Sequence, residues 1–324
     1  MKAVALILWV SVLSPAALYG SGVDLVVPND AENQEGNDAS VVPFVIAVGG
    51  TERYQQVYEA SQFSAVKAGG SFVTEIYFRP DCYYGTGGSL TTNLLVNFST
   101  TSKMPDQLSS VFAENVGQDD TRVFGPGKLI AGGEGGPTNN CPRGLFTGDS
   151  LNRILLDTPF FYNPARGNLL LDARVSGVNQ NFPGGGQLDA VNVPSDSVSR
   201  VYAYPVESTV ANQMDTIGLV TGFGFHDLPS LAISLTTNTV VIAWPVQPKN
   251  FLLYWADKLG TNDNFQLFGG QIGGDALYHA VSLPLDTFGQ SRFFRLICST
   301  CPPVSSPAPP PAARAGREIL GVHH

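Results

Sequence analysis

The chain has 324 residues, with 18 Lys and Arg against 27 Asp and Glu, a formal net charge of −9 and only 14% charged residues. With no cluster of Lys and Arg to neutralise phosphates, this balance argues against nucleic acid as a partner. The 35 Gly and 23 Pro exceed the usual share but stay below the level of disordered chains, which predicts many turns joining short strands.

The opening segment, "MKAVALILWVSVLSPAALYGSG", has Lys2 as its positive start, an apolar run from Ala3 to Leu13, a helix-breaking Ser-Pro and then small residues. It reads as a signal peptide over residues 1–22, cut after Gly20 or Gly22. The rest of the chain lacks roughly 18 consecutive apolar residues, so no membrane span is expected in the mature protein. A secreted product, extracellular or held at the cell surface, follows as the expectation.

Residues Ser21 to Ser40 include "NDAENQEGNDAS", polar and acidic, and read as an exposed or loosely paired leader. From Val41 the pattern turns to period two. In "SFVTEIYF" the residues Phe72, Thr74, Ile76 and Phe78 alternate with Val73, Glu75 and Tyr77, the mark of a strand. "NLLVNFST" places Leu94, Val96 and Phe98 inward, and "NLLLDARVSG" does the same with Leu169, Leu171, Ala173 and Val175. "SVSRVYAY" and "IGLVTGFGF" continue the alternation, with Gly222 and Gly224 opposite Phe223 and Phe225.

Turn formers such as "RPDCYYGTGG", "FGPGK", "YNPARGN" and "NFPGGGQ" separate these runs. "PDQLSSVFAENVG" is the nearest approach to a helix, with Leu108, Val111 and Phe112 at helical spacing after a cap at Asp106. Missing crossover helices point to sandwiches rather than a parallel sheet. A boundary is expected in "FHDLPS", between His226 and Ser230. Beyond it, "NTVVIAWP", "FLLYWADKL" and "RFFRLI" fit a small immunoglobulin-like or fibronectin-like sandwich with Trp244 or Trp255 in its core. The expected fold class is therefore all-β: two consecutive antiparallel β-sandwiches, a large jelly-roll-like one over residues 23–228 and a small one over 229–298. A proline-rich, disordered tail over 299–324 follows.

Cys82, Cys141, Cys298 and Cys301 are an even set in a chain read as exported, and disulfides are the expectation. Three pairings are possible, and Cys82 with Cys141 and Cys298 with Cys301 keeps each pair inside one domain. The first would close a loop of roughly 60 residues and stabilise by about 4 kcal/mol. "CSTC" alone supplies only two of the four ligands of structural zinc, and no thioredoxin-like context surrounds it.

Candidate chemistry is sparse. Asp119 and Asp120 offer hard oxygens for calcium, but adjacent strand residues point opposite ways, and a solvated turn is the reading preferred. Glu75, Asp157, Asp172 and Asp189 are carboxylates of the type used in glycoside hydrolysis; Glu75 and Asp172 are expected on the outward face, solvated. His226 falls in a linker, His279 on a strand, and His323 and His324 in the tail, with no "GxSxG" elbow. Arg200 reads as a strand residue pairing a neighbouring carboxylate. In "DCYYGTGG" the residues Tyr83 and Tyr84 follow a cysteine in a glycine-rich turn, where exposed rings offer a platform for a sugar face.

The segments "RYQQVYEASQFS", "TEIYFRPD", "NFSTTSKMPDQLSSVFAENVGQDDTRVF", "DTPFFYNPARGNLLLDARVSG", "SDSVSRVY" and "DTIGLVTGF", in this order over most of residues 41–225, resemble a family of secreted bacterial β-sandwich proteins that often carry the PEP-CTERM sorting signal. The C-terminal part resembles a short immunoglobulin-like module of large exported proteins. The resemblance implies export and an envelope or matrix setting near exopolysaccharide, with no catalytic residue and no cofactor to carry over. The chain departs from the sorting pattern in lacking the Pro-Glu-Pro motif, the membrane run and the basic finish. The function expected is a noncatalytic extracellular or envelope-associated module contacting polysaccharide or cell-surface components. A carbohydrate-active hydrolase or lyase and a self-assembling surface protein are the alternatives.

Overall fold

A computed structural model describes residues 22–44, 51–84, 87–133, 152–179, 186–226, 229–236, 238–246, 250–257, 265–275, 278–284 and 292–299. The expected signal peptide up to residue 21, Cys141, Cys301 and the proline-rich tail from residue 300 lie outside the described residues. Chain order gives β1 (Val23–Val27), β2 (Asp38–Ser40), β3 (Thr51–Tyr58), β4 (Ser71–Phe78), β5 (Gly87–Thr101), β6 (Thr121–Gly133) and β7 (Arg153–Tyr162). Next come β8 (Asn168–Asn179), β9 (Leu188–Asn192), β10 (Val198–Ala203), β11 (Gln213–Asp215), β12 (Ile217–Leu219) and β13 (Thr221–Phe225). After residue 226 follow β14 (Ala232–Leu235), β15 (Thr239–Pro245), β16 (Phe251–Ala256), β17 (Gln266–Leu267), β18 (Gly273–Gly274), β19 (Tyr278–Pro284) and β20 (Phe293–Cys298). The protein is all-β, and the only helical pieces among the described residues are short 3-10 turns.

Two sheets face each other in the first part. The four-stranded sheet runs β1-β13-β4-β7 and the six-stranded sheet β11-β10-β3-β8-β5-β6. Period-two alternation sends Ile76, Phe160 and Phe223 of the first sheet toward Tyr58, Phe98 and Leu171 of the second, and all six are buried in one cluster. The rings interlock across the gap, with Phe98 and Phe160 centroids 5.7 Å apart and Tyr58 and Phe223 edge-on at 5.0 Å. A small sheet, β12-β9-β2, packs on the inner side of β3 and β10. There the Gln56 side-chain amide donates to Leu219 O and accepts from Leu219 N–H, while Arg200 Nη1 donates to Ser40 Oγ.

The outer face of the six-stranded sheet is covered as well. Val57, Leu170, Val201 and Ala203 point away from the main core and pack under Leu108, Phe112 and Ala211. The expected helix there is only a 3-10 turn, Phe112–Glu114. Asp106 does not cap it, for it has a positive φ of 60° and accepts from Ser195 N–H. The turn is held instead by Asn115, whose amide donates to Gln55 Oε1 and Ser109 O.

Three further expectations are corrected. The polar leader is not loose, because β1 pairs with β13 over its full length from Val23↔Phe225 to Val27↔Thr221, and Val26 and Val27 are buried. In β4 the register shifts between Val73 and Glu75, so Val73, not Thr74, joins Ile76 and Phe78 in the core. The displaced Phe72 stacks on Phe161 instead. Finally, Asp172 and Glu75 lie on outward faces but are not solvated: both are buried and ion-paired, Asp172 with Arg53 and Arg174, Glu75 with Arg153.

In the second part a sheet of order β14-β15-β19-β18 opposes one of order β17-β16-β20. Val240, Ile242, Trp244, Leu253 and Val281 form the core between them. Trp244 is the central aromatic, 1% exposed, whereas Trp255 lies under the Arg292 guanidinium at 4.5 Å. Asn250 Nδ2 reaches Asp157 O at 2.9 Å, a hydrogen bond between the two parts.

Candidate functional site

The tyrosine turn leaves the end of β4 and is anchored from beneath by a buried arginine. Arg79, 1% exposed, donates through Nη1 to Ala31 O and Nη2 to Gln34 O, each at 2.8 Å, and through Nε to Asp189 Oδ2 at 2.6 Å. Asp189 Oδ1 accepts from Gly36 N–H at 3.0 Å. One guanidinium thus fastens the segment between β1 and β2 to β9. Burial pushes Asp189 up to about 7, with Arg79 opposing and the charge of Glu35 adding to the rise.

The turn itself is held by its own backbone. Asp81 N–H donates to Gln187 O at 3.0 Å and Gln187 N–H to Tyr84 O at 2.9 Å. Asp81 Oδ1 accepts from the N–H groups of both Tyr83 and Tyr84, at 2.8 and 2.6 Å. Cys82 N–H donates to Glu35 Oε1 at 2.9 Å. Cys82 is buried and disulfide-bonded, and Cys298, half-buried at the end of β20, is disulfide-bonded too. No cysteine among the described residues is free, but the expected pairings with Cys141 and Cys301 lie outside the described residues. On this frame Tyr83 and Tyr84 stand 65% and 61% exposed.

Beneath the tyrosines, one oxygen each from Glu35, Asp81 and Asp189 lies within 4.8 Å of the others. Three oxygens fall short of the six to eight that calcium takes, and the set holds no imidazole or thiolate to suit a softer ion. A second set, Asp24, Glu75 and His226, gathers near the start of β4. A shallow cleft of about 180 Å³, lined by Asp106, Ser199, Arg200, Met214, Asp215 and Thr216, opens at the edge formed by β10 and β11.

The remaining sequence candidates are dispersed. Asp119 Oδ1 accepts from Thr100 N–H and Asp120 from the Asn97 side-chain amide. Neither belongs to a group of metal-ligating side chains among the described residues. Asp157 Oδ2 accepts from Gly125 N–H. Each of the four carboxylates considered for hydrolysis thus has a partner of its own. Arg200 pairs with Asp215, and His279 stacks on Trp244 with centroids 5.3 Å apart. Sequence reading found the tyrosines but not their supports, because Glu35, Arg79 and Asp189 come from segments about 45 and 110 positions apart and no local spacing links them.

Compared with protein families, curated proteins and solved structures, the chain matches none.

Proposed function

We propose that the protein is a noncatalytic glycan-binding module that works outside the cell, contacting polysaccharide through Tyr83 and Tyr84. One observation carries this reading: two adjacent tyrosines project into solvent from a turn that a buried disulfide-bonded cysteine, an aspartate and a buried arginine all hold in place. An aromatic face stacks on the C–H face of a sugar ring while the phenol edge exchanges hydrogen bonds with its hydroxyls. A turn already fixed loses little conformational freedom on binding, which favours affinity. The sparse charge of the chain suits a neutral saccharide better than a polyanion, and the resemblance to exported β-sandwich proteins supports an envelope or matrix setting.

The test is a glycan array probed with the purified protein and with Tyr83→Ala and Tyr84→Ala. Both residues are exposed, so each variant should fold as the parent does, and each should bind the recognised glycan at least about tenfold more weakly, the loss of roughly 1.4 kcal/mol. Absence of any glycan signal, or equal binding by all three proteins, would overturn the reading.

A further inference from the structure

We propose that Asp24, Glu75 and His226 form a binding site for one divalent transition-metal ion of the zinc type, an assignment independent of the glycan reading, with which it shares no residue. The cross-strand register builds it. Asp24 on β1 pairs with Gly224 on β13, and Gly224 pairs in turn with Glu75 on β4. The two carboxylates therefore flank one glycine in a single row across three strands, and His226, two positions on, returns to the same face.

The glycine leaves the space that the ligands occupy. A Cβ on Gly224 would stand 2.5 Å from Glu75 Cγ, 2.8 Å from Glu75 Oε1 and 2.9 Å from His226 Cε1. His226 is tied to β4 at two points: its N–H donates to Phe72 O at 3.2 Å, and its Nδ1 meets Thr74 Oγ1 at 2.7 Å. In the tautomer that carries its hydrogen on Nδ1, His226 donates to the Thr74 hydroxyl, which itself donates to Gly224 O, and the Nε2 lone pair is free for a metal. Metal-bound histidines are held in this way, with the far ring nitrogen donating to a fixed acceptor.

The spacing fits an ion. Nε2 lies 4.0 Å from Asp24 Oδ1, too far for a direct hydrogen bond, and one ligand atom from each of the three residues lies within 4.8 Å of the others. Zinc bonds of about 2.0–2.2 Å bring tetrahedral ligand atoms to roughly 3.4 Å from one another, so a small inward movement closes the shell. The mixture of one imidazole and two carboxylates suits zinc better than calcium, which takes oxygen alone. Glu75 is oriented by Arg153 Nε at 2.9 Å and by the Tyr77 hydroxyl. Asp24, with its side chain 55% exposed, leaves the outer side open for entry and for a water ligand.

Titrating zinc chloride into the metal-free full chain by calorimetry tests the site, with His226→Gln and Asp24→Asn as variants. All three proteins keep His279, His323 and His324, so binding elsewhere is a shared background. The expected result is one equivalent of zinc bound by the parent and at least tenfold weaker binding in both variants. Added zinc should raise the melting temperature of the parent only. Asp24 is exposed, so its variant reports even if His226→Gln fails to fold. Equal uptake by parent and Asp24→Asn, or no uptake by the parent, overturns the proposal. So does a His226 ring resonance that added zinc leaves unmoved.

Discussion

Glu52 is a carboxyl whose burial changes its chemistry. It lies on β3 with no exposed surface, beside the Tyr204 hydroxyl and the Arg200 charge. Burial pushes its pKa from 4.5 up to about 8, with the Arg200 charge and the nearby Tyr204 hydroxyl opposing the rise. Because the folded pKa exceeds the unfolded one, the folded state holds the proton more tightly, and stability is greatest below pH 4.5 and is lost as pH climbs through about 8. The slope approaches about 1.4 kcal/mol per pH unit within that window. Asp189, raised to about 7, adds to it with the same sign. Glu52→Gln should therefore flatten the fall in melting temperature between pH 5 and 9 and leave the variant more stable than the parent at pH 9. An unchanged pH profile would show that Glu52 ionises freely in the fold. Arg79→Met should act in the opposite direction at neutral pH. It strips Asp189 of its buried partner, and a loss of about 3–5 kcal/mol in denaturant unfolding is expected.

Elements differ in how far their sequence announced them. β5 and β8 alternate without interruption, and Leu94, Val96, Phe98, Leu169, Leu171, Ala173 and Val175 all point inward as period two requires. β4 fails because Thr74 is an extra residue against β13, where Glu75 faces Gly224 and Val73 faces Phe225, and a bulge leaves no mark on the order of apolar and polar letters. The cover segment fails for another reason. Leu108 and Phe112 match helical spacing, yet their burial is set by the outer face of the six-stranded sheet they shield, a tertiary contact that overrides local preference. Phe112→Ala should cost about 3–5 kcal/mol on denaturant unfolding. Glycan binding by Tyr83 and Tyr84 should remain, since the tyrosine turn leaves β4 in the opposite sheet. The same distinction applies to the candidate site. The exposed tyrosines were legible from their turn, while Asp24, Glu75 and His226 meet only through strand pairing across some 200 positions.

At the scale of the whole molecule, two hydrophobic clusters are separate. One gathers residues from Leu25 to Phe225 and the other residues from Val240 to Val281. Each should unfold as its own cooperative unit, giving two calorimetric transitions. Ile242→Ala, at a position with no exposed surface, should lower the second transition alone, with a loss of about 2–5 kcal/mol. A single transition displaced as a whole would mean that contacts such as Asn250 to Asp157 fuse the two parts energetically.

The pairing of β1 with β13, Val23 with Phe225, also bears on biogenesis. β1 finds its neighbour only after some two hundred further residues have been synthesised, so the four-stranded sheet stays incomplete until β13 has been made. Closing so distant a contact is slow, and the waiting edge is sticky. Until β13 arrives, β1 has no partner strand, and whatever shields its edge in that interval decides whether the chain folds or aggregates.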